Sequence, residues 1–239
     1  MIPKNAITML GDIDQCWLFA YRVPLGQVAS LVPEPLQCVQ KDGFGFINIV
    51  VSQLSHMRPH PLPRVFGMSY WHVAYRVPVV YGATNGETIE GLYFLRSDAD
   101  SSLMVGAGNL LTDFRFHRSH VNVIDDGNCV DLSVPSNEAS INIRMDRKKQ
   151  PVLASGSPFA SLDEAQAFLK YKPTGISVGT KEVNVMRITR DESAWKSRLL
   201  HVADGRFRFL RSFDATLEVC YEVEPIRYRW NQAERFNLS

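Results

Sequence analysis

The chain has 239 residues, and its 26 Lys and Arg against 25 Asp and Glu give a formal net charge of +1. This balance removes the general electrostatic argument for a nucleic-acid partner or an anionic membrane surface. No run of 18 or more apolar residues occurs, which excludes a transmembrane helix. Residues 1–10 also lack the basic start and apolar stretch of a signal peptide. We therefore expect a soluble, cytoplasmic protein without nucleic-acid or membrane partners.

Length and cysteine spacing indicate a simple organisation. We expect a single domain over residues 1–239, since a chain of this length can bury one large core. The polar stretch 147–158 then forms a long internal loop.

The cysteines are widely separated and without a Cys-x-x-Cys pair, which indicates free thiols in a reducing compartment. Arginine outnumbers lysine, with 18 residues against 8.

Helical signals are few. Residues 24–32 begin with a proline and predict a short helix. Residues 161–169 begin with a Ser-x-x-Glu capping box and predict another. Residues 101–111 have helical apolar spacing, but Gly106 and Gly108 weaken that prediction and instead indicate close backbone packing or a bend.

Most other segments predict strands. Residues 44–51 are rich in β-forming side chains. In residues 130–134, 141–146 and 217–224, apolar and polar residues alternate with period two, which is typical of half-buried antiparallel strands. Four dipeptides predict tight turns: Asp42-Gly43, Asn85-Gly86, Asp126-Gly127 and Asp204-Gly205. The fold class is therefore α+β, mainly β, built on one large, curved antiparallel sheet.

No standard catalytic or metal motif is present. A Gly-x-Ser-x-Gly elbow and a phosphate loop are both missing. A zinc site could be assembled only by tertiary contacts among His56, His60, His72 and His117. His120 cannot join His117 on one metal unless a bulge intervenes, since strand residues three apart point to opposite faces. We predict no metal and no cofactor.

The segment Phe114-Arg115-Phe116-His117 carries the most informative arginine. If the phenylalanines face the core, Arg115 and His117 share the other face. A cavity on that face would make them an anion receptor, because Arg binds a carboxylate with two donors and His supplies a tunable proton. A solvated outer face is the alternative, and periodicity by itself favours it.

Two longer stretches resemble the acetoacetate decarboxylase family. The first is Tyr21-Arg-Val-Pro-Leu-Gly-Gln-Val-Ala-Ser-Leu-Val-Pro-Glu-Pro-Leu36, which is similar to that family's opening strand, helix and Val-Pro-Glu-Pro-Leu segment. The second is Tyr93-Phe-Leu-Arg-Ser-Asp-Ala-Asp-Ser-Ser-Leu-Met-Val-Gly106, which resembles the segment leading into its catalytic strand.

Shorter motifs are more similar to the uncharacterised YqjF-like branch of the same superfamily. They are Arg58-Pro-His-Pro-Leu-Pro63, Leu92-Tyr-Phe94 and Phe168-Leu-Lys-Tyr171. Together the resemblance covers about residues 10–225. It implies one β-rich domain, a large curved sheet or cone-like barrel with a central cavity and a few short helices. It also implies assembly into a homo-oligomer.

The decarboxylase motif itself is lost. Aligning the shared Val-Gly places the family's Pro-Lys-Lys triplet on Asp113, Phe114 and Arg115, so Phe114 replaces the Schiff-base lysine. Arginine cannot take over that role, because it stays protonated near neutrality. The family's Tyr-x-Glu carboxylate falls on Tyr70-Trp-His72. No other lysine lies inside an apolar strand, and Lys170 and Lys172 are the nearest substitutes.

Two functions follow from this comparison. The first is a small-molecule cavity protein that binds a keto acid or another small carboxylate. Arg115 would anchor the carboxylate, with His72, His117 and Tyr70 as polar lining; further ligand-binding candidates in the resembling motifs are Arg22, Arg58 and Phe114.

The second is an enzyme, of lyase or hydrolase type, acting on keto or carboxylic compounds. Arg115 would stabilise an oxyanion, and His72 or His117 would serve as general acid or base. A purely structural role is less favoured, since the resemblance runs through the cavity-building segments.

Overall fold

The computed structural model describes residues 4–170 and 172–238. Within these ranges the chain forms three short α-helices, α1 Leu25–Ala29, α2 Ser102–Leu111 and α3 Leu162–Phe168. The longest, α2, has ten residues, whereas crossing a bilayer takes about 20. The strands are β1 Met9–Pro24, β2 Gln37–Cys38, β3 Gln40–Lys41, β4 Phe44–Pro59, β5 Met68–Gly82, β6 Thr88–Ala99, β7 Phe116–Arg118, β8 Asn122–Asp125, β9 Cys129–Val134, β10 Ile141–Asp146, β11 Thr174–Val178, β12 Glu182–Arg190, β13 Ser197–Leu199, β14 His201–Phe207, β15 Thr216–Val223, β16 Ile226–Trp230 and β17 Glu234–Asn237.

These strands form a 13-stranded sheet and a four-stranded sheet. The large sheet runs in the order β13-β15-β1-β16-β12-β11-β6-β5-β4-β3, with β2, β7 and β17 attached to it. The small sheet runs β14-β10-β9-β8. The fold is mainly β with a large curved sheet, as predicted.

The large sheet differs from the expected antiparallel sheet or cone-like barrel. It is mixed, because β6 pairs in parallel with both β7 and β11. It is not closed as a barrel. Pairing of β4 with β1 joins two strands that lie far apart in the strand order. The link between β11 and β6, however, consists of only two residue pairs.

The two faces of the large sheet have different covers. Along β1, Trp17, Phe19 and Tyr21 point to one side, where their cluster includes residues of the small sheet. Cys16 and Leu18 point to the other side and pack with residues of α3 and the segments around it. We call these the sheet-packed face and the helix-packed face. Because both are covered, β1 is buried on both sides rather than half-buried.

The strand segments that were predicted by name are all found in the structure. The strands predicted at residues 44–51, 130–134, 141–146 and 217–224 are found in β4, β9, β10 and β15. Three of the four predicted turns connect strands, but Asp204-Gly205 lies inside β14. The pairing of β14 with β10 skips Ala203, so the dipeptide directly follows a bulge. Residues 147–158 contain no helix or strand, as expected for a loop.

Contacts in the structure explain two of the predictions made for the helical segments. The Ser161 hydroxyl accepts a hydrogen bond from the Glu164 amide and caps α3. In α2, a Cβ at Gly108 would lie 2.4 Å from the Phe116 ring, whereas Gly106 has nothing within 4 Å. The close-packing interpretation therefore holds for Gly108. The Phe168–Tyr171 motif begins at the end of α3, and Tyr171 lies outside the described residues.

A buried ion pair joins the 147–158 loop to the large sheet. The side chains of Arg22 on β1 and Glu218 on β15 are 9% and 0% exposed and hydrogen-bond directly. Arg22 Nη2 also donates to the Ser155 carbonyl oxygen at 2.7 Å, and the Ser157 hydroxyl donates to Glu218 at 2.6 Å. Arg22 therefore holds a loop in place, and its guanidinium is already satisfied by protein groups.

We expect Glu218→Ala to lower the free energy of unfolding by about 3–5 kcal/mol, because it leaves the Arg22 charge buried without its carboxylate. Glu87→Ala is the matched control, since Glu87 pairs with Arg187 where both side chains are 42% exposed. The control should cost less than about 1 kcal/mol. Urea unfolding measures both values. Equal losses would show that the Arg22–Glu218 pair does not stabilise the fold.

Candidate functional site

An apolar pocket lies on the helix-packed face beneath α2. Its volume is about 140 Å³. The sheet supplies its floor from β1, β4, β5, β6 and β16, and α2 covers it with Met104, Ala107, Gly108 and Leu111. The remaining lining residues are Asn5, Ile7, Met9, Leu54, Met57, Tyr70, His72, Phe94, Thr112, Phe114, Phe116, Tyr228 and Trp230.

His72 is the titratable imidazole of this lining. It lies on β5, two residues after Tyr70, and period two turns both side chains to the same face. Its ring stacks on Phe116 with centroids 5.4 Å apart. The residue as a whole is half-buried, but its Nε2 is buried and has no hydrogen-bond partner among the described residues.

The surroundings of His72 keep it neutral. Burial is the main cause that lowers its pKa to about 3, and the positive charge of Arg76 lowers the pKa further in the same direction. At neutral pH the imidazole therefore carries no charge. It can exchange hydrogen bonds with a ligand but offers no cation to an anion.

Phe114 belongs to an aromatic cluster at one end of the pocket. Its ring lies 4.3 Å from Phe94 and 5.5 Å from Trp230, measured between centroids. This is the residue that the resemblance aligns with the Schiff-base lysine. No lysine of the described chain lines the pocket. Lys170 and Lys172 instead make surface ion pairs with Glu192 and Glu90.

A polar cleft of about 230 Å³ adjoins the pocket, and Thr112 lines both. At its centre the Asp113 carboxylate accepts hydrogen bonds from Asn5 and Ser177, each at 3.1 Å. Lys4 Nζ lies 3.2 Å from the same carboxylate. Arg115 also lines this cleft.

The segment between α2 and β7 turns sharply at Arg115, whose φ of 53° is left-handed and unfavourable for a non-glycine residue. Asn109 fixes the turn, because its side chain both accepts from the Phe116 amide and donates to the Phe116 carbonyl. As a result Phe114 and Phe116 enter the pocket while Arg115 is exposed outside it. The expectation that Arg115 lines the cavity with His72 is therefore not met.

The other predicted site residues are scattered. Tyr70, His72 and Phe114 come together in the pocket. His117 is exposed on β7. Arg22 is held in the loop-anchoring ion pair, and Arg58 lies in a different groove. The structure thus brings together three of the seven predicted residues, and the cations are not among them.

Sequence reasoning missed Arg76, which is 2% exposed on the helix-packed face. Its guanidinium lies over the Phe94 ring, 5.8 Å from the centroid. Its spacing could have indicated its place, because Arg76 lies four residues after His72 on the same strand and therefore on the same face of the sheet. The α2 residues that line the pocket were not predicted, because a helix that packs over strands distant in sequence leaves no pattern among neighbouring residues.

Metal binding has no visible support in the described ranges. They contain no group of three or more His, Cys, Asp or Glu side chains arranged to hold an ion. His56 instead lies 3.0 Å from the Asp12 carboxylate and 3.1 Å from an Arg64 nitrogen.

Solved structures with this fold are acetoacetate decarboxylase-like. The acetoacetate decarboxylase of Legionella pneumophila matches with a TM-score of 0.65 at 10% identity, over 98% of this chain and 88% of that one. An acetoacetate decarboxylase-like enzyme from Sphingomonas wittichii RW1 gives 0.59 at 11% identity, over 99% and 95%. The enduracididine biosynthesis enzyme MppR, complexed with pyruvate, gives 0.58 at 8% identity, over 98% and 91%. At such low identities the likeness establishes the fold alone.

Sequence comparison gives a more specific result. No curated protein matches the chain. The family model DUF2071, described as "Uncharacterized conserved protein (COG2071)", matches residues 12–210. The chain therefore belongs to the DUF2071 family, and its fold is acetoacetate decarboxylase-like.

Proposed function

We propose that this protein binds a small molecule in the apolar pocket and has lost Schiff-base chemistry. The observation that carries the proposal is a cavity of about 140 Å³ whose described lining consists mainly of aromatic and other apolar side chains, with one neutral imidazole and no lysine. Ligand sites are typically concave, mostly apolar and equipped with a few orienting polar groups. The proposal treats the chain as one domain, because one core cluster contains residues of both sheets.

The pocket limits the size and charge of the ligand. An apolar cavity of about 150 Å³ accepts a molecule of the size of benzene. No Lys or Arg lines the pocket within the described ranges, so a carboxylate placed inside would lose its hydration without a compensating charge. A keto acid would therefore insert its carbonyl or alkyl end and leave its carboxylate outside.

The polar cleft offers a place for that carboxylate, because the Asp113 carboxylate in it is already paired with Lys4. Arg115 lines the cleft and has its guanidinium exposed, while Thr112 forms a wall common to cleft and pocket. In this arrangement His72 Nε2 exchanges a hydrogen bond with the ligand's carbonyl or hydroxyl group. MppR, the structural neighbour complexed with pyruvate, has a keto acid as its ligand.

The enzyme alternative has weaker support. A histidine with a pKa of about 3 is not an imidazolium at neutral pH, so it has no acidic proton to transfer to a substrate, and it is also a poor base. Arg115 and His117 both lie outside the pocket, so the expected Arg and His pair does not converge on one ligand position. Binding is therefore the function that the geometry supports best.

A thermal-shift screen tests binding, because a ligand that binds the native state raises the melting temperature. We expect small keto acids and matching neutral ketones to raise it, and simple carboxylates of the same size to do so less. His72→Phe keeps a ring against Phe116 but removes the hydrogen bond, so it should weaken binding of carbonyl ligands roughly threefold to tenfold.

His120→Phe is the control for that substitution, since His120 is exposed and does not line the pocket. It should leave ligand affinity unchanged. Loss of affinity in both variants, or a screen without any stabilising compound, would contradict the proposal.

Borohydride reduction tests the loss of imine chemistry separately. In the presence of acetoacetate or pyruvate we expect no covalent adduct by intact-mass spectrometry, because no described lysine lines the pocket. Phe114→Lys would restore an amine at the aligned position and serves as a positive comparison. An adduct on any lysine of the unmodified protein would show that Schiff-base formation persists.

The lowered pKa of His72 predicts a pH dependence of stability. The unfolded chain takes up a proton below about pH 6.5, whereas the folded chain resists protonation down to about pH 3. The contribution of neutral His72 to the free energy of unfolding is therefore fully present above pH 6.5. It is lost as the pH falls below that value, by at most about 1.4 kcal/mol per pH unit. Urea unfolding between these limits should show a shallower decline for His72→Phe. Identical slopes would mean that His72 is readily protonated in the folded state.

A further inference from the structure

A second concave site lies on β1, β16 and the end of β12, facing away from the apolar pocket. We call it the arginine groove; its volume is about 510 Å³, and among the described residues it shares only Tyr228 with the pocket lining. Among the described residues, five arginines line it, namely Arg58, Arg64, Arg190, Arg227 and Arg229. The Arg190 side chain is only 1% exposed and lies over the Trp195 ring, so the guanidinium groups available to a ligand are those of the other four.

Strand register holds these arginines together. Leu10 of β1 pairs with Arg58 of β4 on one side and with Arg229 of β16 on the other. Two positions along, Asp12 pairs with Arg227. Directly paired strand residues have Cβ atoms roughly 5 Å apart and share a face. The side chains of Arg58, Arg227 and Arg229 are therefore held on rigid strands around one surface.

The groove has too few carboxylates to neutralise its arginines. In the part of the chain that the structure describes, the carboxylates that line it are Asp12 and Asp191. Asp12 contacts Arg64 at 2.6 Å and Arg227 at 3.8 Å, whereas Asp191 accepts hydrogen bonds from the amide and hydroxyl of Ser193. Outside this lining, Glu192 pairs with Arg190. Like charges held this close repel one another, and a bound anion would relieve the repulsion.

We propose that the arginine groove binds a phosphate-bearing ligand. Guanidinium groups contact phosphate oxygens with two parallel donors, which favours phosphate as the anion. The volume falls within the range of roughly 300–1,000 Å³ that is usual for small-molecule sites. Leu10 and Tyr228 add apolar surface against which the rest of the ligand can pack.

An extended polyanion fits the molecule less well. The chain as a whole has a formal net charge of +1, so the excess positive charge is local to the groove rather than spread over a broad surface. The phosphate groups belong either to a soluble polyphosphate compound or to a lipid headgroup. This site is independent of the proposed function of the apolar pocket.

Isothermal titration calorimetry with inorganic tripolyphosphate tests the groove, with anionic and neutral phospholipid vesicles as a second arm. We expect tripolyphosphate to bind and its affinity to fall between about 50 and about 200 mM salt. The double variant Arg227→Gln with Arg229→Gln should lose at least about tenfold in affinity, because charged hydrogen bonds are removed.

The matched control is Arg206→Gln with Arg208→Gln, which removes the same charge from exposed positions outside the groove. It should bind tripolyphosphate like the unmodified protein. If the groove double variant is unfolded by circular dichroism, Arg64→Gln, with a side chain 47% exposed, replaces it.

The outcomes separate the two sources of phosphate. Binding of tripolyphosphate alone identifies a soluble ligand, and binding of anionic vesicles that tripolyphosphate displaces identifies a headgroup. The proposal is overturned if neither probe binds, if both double variants lose affinity equally, or if duplex DNA binds more tightly than either probe.

Discussion

The helix-packed face of the large sheet has to be removed from water along its whole length, and the rest of the structure depends on how that is done. The face contains apolar residues such as Leu18 and Val50, and leaving them exposed would cost about 25 cal/mol per Å² of apolar surface. Three short pieces cover it, namely α2, α3 and the 147–158 loop. The loop has few apolar residues of its own, so the buried Arg22–Glu218 pair fixes it in place.

This cover determines the chemistry of the pocket beneath α2. Water is largely excluded there, which favours the neutral form of His72 and lets the charge of Arg76 act on it over a longer range than in solvent. An ionised ligand group would meet the same penalty. The sharp turn at Arg115, fixed by Asn109, keeps that guanidinium in the polar cleft. The separation of cleft from pocket is thus built into the backbone, and it matches a ligand with one apolar and one charged end.

Local signals were enough for the elements that were predicted by name, because period-two alternation, caps and tight turns depend on neighbouring residues. The capped helix at Ser161 and the close packing of Gly108 are examples. The site was harder to predict, since its geometry depends on contacts between distant positions. Arg22 looked available for a ligand, yet its partner Glu218 lies 196 residues away. Arg115 looked like a strand residue, but its left-handed backbone is set by a side chain of the preceding helix.

The apolar pocket and the arginine groove depend on the same strand register. Met9 and Trp230 are directly paired and line the pocket, while the next pair, Leu10 and Arg229, lines the groove. A slip of one residue in the pairing of β1 with β16 would exchange the two faces and place arginine under α2. The register is held because β1 is also paired with β4 over nearly its whole length. The doubly paired strand therefore keeps a neutral site and a cationic site apart within a single layer of backbone.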